Sequence, residues 1–252
     1  MLSLHNKKHG INFYTVWFAK EPVRKNGIIS CREYMGEKPT CACTKFDTLI
    51  SDITKSDEEI KQHFSKNCRY YVNRASREDV TVKMYSGKEV SDSQIIEFLD
   101  FFEEFWESKG SSLSNKDKLK RELMAYRDAG AFGITEAYVD GIKVVYHTHI
   151  VDEEIVRLLH SASLFRLQEE DANSKNLIGI ANRYLHYEEM KYYKSLGKLV
   201  YDWGGAGMEE DVIHITEFKE SFGGTSAVFY NFEEINGLKA KLFKVLVKIM
   251  GK

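Results

Sequence analysis

The feature that most constrains this chain is an Asp140-Gly141 step set between two β-rich runs, 133–139 and Ile142–Val151. Both residues of such a link accept positive φ, as a type I′ turn requires, and that turn joins neighbouring antiparallel strands. Asp152-Glu153 then turns the chain again into Ile155–Ser163. Two-residue links cannot carry a parallel crossover, so this stretch is a meander and not a series of βαβ units.

Around the meander the pattern alternates. Residues 11–19, 27–31 and 43–50 are rich in β-branched and aromatic residues and read as three antiparallel strands. Ser56 with Glu59 three residues on predicts a capped helix, running through Ile60, Phe64 and Cys68 to Ala75. A strand over 80–85 follows. Asp92 opens a helix with Ile95, Ile96, Leu99, Phe102 and Phe105 along one side, and 115–127 is a third helix stopped by Gly130. After the meander come a loop over 168–176, a helix over 177–196, a strand over 199–203, a short helix near Phe218, a strand over 226–232 and a basic amphipathic helix over 237–252. This order predicts an α+β fold with a mixed, mostly antiparallel central sheet flanked by helices. The expected organisation is an N-terminal β-rich unit over 1–90, a core over 91–236, and the helix 237–252.

Composition narrows the function. The chain has 36 Lys+Arg against 38 Asp+Glu, a net charge of −2, which argues against a protein that coats nucleic acid. No apolar stretch approaches the roughly 20 residues that span a bilayer, and the start, Met1-Leu2-Ser3-Leu4-His5-Asn6-Lys7-Lys8, lacks the apolar centre of a signal peptide, so a cytoplasmic protein is expected. Cys31, Cys41, Cys43 and Cys68 fit neither paired zinc knuckles nor a disulfide framework and read as reduced thiols; no metal is expected.

Two segments carry a resemblance. One is Tyr187-Glu188-Glu189-Met190-Lys191-Tyr192-Tyr193-Lys194-Ser195-Leu196-Gly197 running into Tyr201-Asp202-Trp203-Gly204-Gly205. The other is Phe218-Lys219-Glu220-Ser221-Phe222-Gly223. An aromatic-headed helix ending in Gly, a Tyr-Asp-x-x-Gly strand and a Phe-Lys-x-x-Phe-Gly turn, in that order, resemble the acyl-transfer core of the GNAT superfamily in its Fem-type branch. Arg69-Tyr70-Tyr71-Val72-Asn73-Arg74-Ala75 is similar to that branch's Arg-x-x-Ile-Arg-x-Ala helix, with Asn at one basic position. The resemblance covers 56–236 and is specific over 184–224. It implies a GNAT-like core, with the N-terminal unit a partial second one; bridge-forming members carry two full domains.

The resemblance also implies a function: a bacterial N-acyltransferase of cell-envelope biosynthesis. It would move an acyl group from acyl-CoA, a co-substrate and not a permanently bound cofactor, to an amine of a sugar nucleotide or envelope precursor. A tRNA-dependent aminoacyltransferase and a non-catalytic binding protein are the alternatives. The segment 166–176, where acetyl-CoA enzymes place a glycine-rich pyrophosphate turn, contains no glycine. The donor's arm would lie where strands 158–163 and 199–203 part, held by Ala162, Ser163, Leu164 and Asn176. Lys219 would meet an anion or the developing charge on the carbonyl.

Other residues have two readings. Asp202 is a base or a cap for the Gly204-Gly205 turn. His147 and His149, two apart, face one side of a strand and are a base, metal ligands or polar core. His160, on the parting strand, is similar, and Glu136 lies on a neighbouring strand. Tyr187, Tyr201, Phe218, Phe222 and His160 would wall the acceptor, Tyr187 standing where the family usually has tryptophan. The lysines of 237–252 are a solvated face or a contact for membrane or tRNA.

Overall fold

The computed structural model describes residues 1–166, 172–207 and 213–250. Its strands are β1 (Leu2–Lys8), β2 (Ile11–Trp17), β3 (Gly27–Tyr34), β4 (Cys43–Asp52), β5 (Val80–Ser86), β6 (Phe132–Val139), β7 (Ile142–Val151), β8 (Ile155–Ser163), β9 (Val200–Asp202) and β10 (Thr225–Asn236). Its helices are α1 (Asp57–Gln62), α2 (Lys66–Ala75), α3 (Asp92–Glu107), α4 (Lys116–Asp128), α5 (Ala172–Ser195), α6 (Ile213–Glu220) and α7 (Leu238–Met250). The fold is α+β, and the strands pair mostly antiparallel, with parallel pairing at β2–β3 and β8–β9. The chain gathers into two units, one of 1–48 with 226–252 and one of 49–225. A boundary at 90 is therefore corrected: β5 pairs with β6 and α2 packs on α5, which ties 66–86 into the second unit. Residues 226–252 belong to the first.

In the first unit the strands run β1-β2-β3-β10. The expectation of antiparallel neighbours fails at β2 and β3, which pair parallel from Phe13↔Ile28 to Trp17↔Arg32. The connection over 18–26 crosses back instead of turning. β1, which the sequence reading passed over, pairs along its whole length with β2. Val16, Ile29, Cys31, Tyr34 and Phe232 form the core of this unit. α7 lays Ala240 and Phe243 on Ile11 and Ile28.

In the second unit the order is β4-β9-β8-β7-β6-β5. The Asp140-Gly141 link has φ of 51° and 76°, as its turn requires. Capping boxes start α1 at Ser56/Glu59 and α3 at Ser91/Gln94, one residue before the expected Asp92 cap. The helix expected over 56–75 is two: buried Phe64 interrupts it, and Ser65 caps α2 by accepting from the Cys68 N–H. α5 starts at Ala172, so 172–176 is helix and not loop; 167–171 lie outside the described residues. α5 covers β5 to β8 on one face, while α3 and α4 pack on β8 and β6.

One pairing decides the geometry of the site. β8 and β9 run parallel and pair at Ile155↔Val200, Val156↔Tyr201 and Arg157↔Asp202; β8 then continues to Ser163 while β9 ends. Gly204 makes the departure possible. Its φ is +65°, and a Cβ there would lie 2.2 Å from the Leu158 carbonyl oxygen. Gly204→Ala is expected to lower the unfolding free energy by about 1–3 kcal/mol, read by urea titration, because it adds left-handed strain to a backbone clash.

Candidate active site

Beside the length of β8 that β9 leaves lies a cavity of about 580 Å³. β8 gives it Ser161 and Ser163, α5 gives Gly179, Asn182, Arg183 and His186, α6 gives Phe218 and Lys219, and α3 and the turn after it give Phe105 and Lys109. No carboxylate is among its described lining residues, while three are cations. Arg183 has no carboxylate partner among the described residues; its guanidinium donates to the Gly179 carbonyl at 3.2 Å and lies over the rings of Tyr71 and Phe218 at 5.0 and 4.9 Å. Burial lowers its pKa, the mark of a cation held out of water without a compensating charge.

Behind this wall sits a polar hub. Glu189, fully buried, accepts from the Thr135 hydroxyl, from His147 Nδ1 at 2.7 Å, from the Tyr201 hydroxyl at 2.7 Å and from His186 Nδ1 at 3.1 Å. Burial alone would raise its pKa, but attraction to His147 and His149 and the hydrogen bonds hold it well below the usual carboxylate range. His186 has the opposite fate. Burial, reinforced by His147, pushes it down to about 3, so its ring is neutral at physiological pH. With Nδ1–H engaged by Glu189 and the Tyr201 oxygen, each at 3.1 Å, Nε2 carries the lone pair and has no protein partner among the described residues. A neutral imidazole oriented by a buried carboxylate, on the wall of a cavity, has the geometry of a general base, and its depressed pKa makes it a weak one.

Of the residues singled out from sequence, Lys219, Phe218 and Ser163 line the cavity. Lys219 donates to the carbonyls of Gly204 at 2.9 Å and Gly205 at 2.6 Å, so it fastens the turn after β9; burial and Arg157 lower its pKa to about 8. Asp202 is buried and accepts from the Gly204 N–H at 2.8 Å, the turn-capping geometry.

The other residues singled out are not among the described residues lining this cavity. His147 and His149 face α5 but stop at the hub: His147 Nε2 meets the Asn182 side chain at 3.0 Å, and His149 packs on Tyr193. His160, one strand position from Ser161, faces the other side of the sheet. There it meets Thr148 at 2.8 Å and Phe102, and it borders a second cavity beside α3 and α4. Tyr201 serves the hub. Tyr187 packs edge-on against Phe64, and Phe222 lies against Trp203. Ala162 is buried, Leu164 joins the cluster around Ile178, and Asn176 lies in α5. Glu136 pairs with Lys143 at 3.0 Å.

Sequence reasoning missed Asn182, Arg183, His186 and Glu189. A signal existed: with Gly179 they recur every three or four residues, a polar stripe along a helix otherwise read for its aromatic residues. The sequence offered His147 and His149 no third metal ligand, yet α5 supplies candidates. His147, His186 and Glu189 bring ligand atoms within 4.8 Å of one another and are the described group that could hold a cation.

No family model matches the sequence, and no curated protein matches it. Solved structures do. FemX aligns with a TM-score of 0.60 and 14% identity, over 79% of this chain and 63% of FemX. The fold is like that of FemX. A conserved protein of unknown function from Bacteroides thetaiotaomicron VPI-5482 aligns with a TM-score of 0.53 and 12% identity, over 76% of this chain and 61% of its own. L-PGS from Bacillus licheniformis aligns at 0.50 and 12%, over 88% and 72%. The chain thus spans less than two thirds of the length of FemX and of the Bacteroides protein. At these identities the likeness is one of fold, and the chemistry has to be argued from the cavity.

Proposed function

We propose that the protein is an N-acyltransferase that moves an acyl group from acyl-CoA to an amine of a sugar nucleotide or related cell-envelope precursor, in the bacterial cytoplasm. The observation that carries this reading is the parting of β8 from β9 above a cavity that holds Lys109, Arg183 and Lys219 and no described carboxylate. The free edge of β8 from Leu158 to Ser163 offers backbone groups to an amide-bearing arm, which binds there as an added strand. The cations suit the donor's phosphates, and Arg183 suits them best because no described carboxylate neutralises it.

His186 carries the proton step. The acceptor nitrogen attacks the thioester carbonyl, Nε2 takes the proton released from that nitrogen, and the C–S bond breaks to leave a thiolate, which is then protonated. Glu189 and Tyr201 hold the ring through Nδ1 and stabilise its charged form as it appears. Asp202, His147 and His149 support the turn and the hub and do not take this role.

A tRNA-dependent aminoacyl transfer is the second reading, favoured by the absence of glycine from 166–176. One experiment separates the two. Acyl-CoA is expected to raise the melting temperature, aminoacyl-tRNA to leave it unchanged, and Arg183→Gln to raise the KM for acyl-CoA about 10–100-fold with a smaller change in kcat. Activity that requires aminoacyl-tRNA and is abolished by RNase would overturn the acyl-CoA reading.

A further inference from the structure

α7 is apolar on the wrong side. At about 100° per residue, Ala240 and Phe243 point to β2 and β3, where Ala240 is 3% exposed against Ile11 and Ile28. Leu238, Leu242, Val245, Leu246 and Ile249 fall together on the opposite face, from 55% to 75% exposed. A surface helix ordinarily turns polar residues outward; here the outward stripe is the more apolar of the two. Lysines border it on both sides, Lys239 along one flank and Lys241 and Lys248 along the other. Lys244, lower on the second flank, pairs with Glu233 at 2.6 Å. The segment 237–252 contains no Asp or Glu.

From this we infer that α7 is a docking surface for an anionic lipid bilayer, lying in the plane of the membrane with its leucine-isoleucine stripe among the acyl chains. Charge selects this occupant. A second copy of the same helix would set one lysine border against another with no acid to compensate. Nucleic acid would use the lysines but leave the apolar stripe in water. A layer of acidic headgroups over hydrocarbon satisfies both: the stripe is buried, and the flanking lysines reach back to the phosphates. This inference is independent of the proposed acyl transfer.

The test is co-sedimentation of the full chain with vesicles of phosphatidylcholine mixed with phosphatidylglycerol, and with vesicles of phosphatidylcholine alone. Binding to the mixed vesicles is expected to be at least about tenfold tighter and to weaken with salt. Lys241→Gln with Lys248→Gln should weaken it about fivefold per lysine. Leu242→Asp with Leu246→Asp should abolish it while leaving the circular dichroism spectrum and melting temperature unchanged, since both side chains are exposed. Three results would overturn the inference: wild-type chain left in the supernatant with mixed vesicles, equal binding to both vesicle types, or a lipid-free dimer that the double aspartate variant dissolves.

Discussion

His186→Gln is expected to lower kcat for acyl transfer about 10²–10⁴-fold while changing the KM for acyl-CoA little, measured by thiol release at saturating amine. The size follows from the geometry. Glutamine can still donate toward Glu189 and Tyr201, which His186 reaches at 3.1 Å each, so the hub keeps its hydrogen bonds and the fold its stability. What disappears is the lone pair at Nε2. In the proposed reading donor binding rests on Arg183 and the β8 edge, which the substitution does not touch. A loss confined to KM would instead make His186 part of the wall and remove it from the proton path.

The second large effect is on stability. Glu189→Ala is expected to lower the unfolding free energy by about 3–5 kcal/mol, read by urea titration. Thr135, His147, His186 and Tyr201 would all lose an acceptor in a site without water access. Glu189→Gln supplies the control, keeping the volume and one acceptor. Its pH dependence carries the sign. Glu189 titrates below its unfolded value, so its contribution is fully present above the ordinary carboxylate pKa of 4.5 and fades as pH falls through the native value. The stability gap between wild type and Glu189→Gln should therefore be widest near neutral pH and close in acid. A gap independent of pH would mean that the carboxylate charge contributes nothing.

These residues show how far the sequence could be read. The Asp140-Gly141 turn, the Ser56/Glu59 box and the helical stripe from Ile95 to Phe102 are local signals, and the elements they announced are present. The three-part motif over 184–224 pointed to the right fold because its glycines and aromatics mark the departure of β9 from β8. The hub was less accessible. His186 and Glu189 were visible as letters at helical spacing, but their meaning depends on burial, which β6 and β7 impose from far away in sequence. His147 and His149 were noticed because alternation gives the face of a strand, but it does not give how deep a side chain sits, and both are fully buried. Parallel pairing of β2 with β3 had no local signature at all.

The first unit closes only when β10, close to two hundred residues downstream, adds to β3. During synthesis at roughly 5–20 residues per second the ribosome therefore releases the Ile28-Ile29 edge tens of seconds before its partner strand exists. The second unit is one continuous segment, 49–225, and suffers no such delay. The nascent chain can mature from its middle outward, and the opening strands are the part that waits longest for a partner.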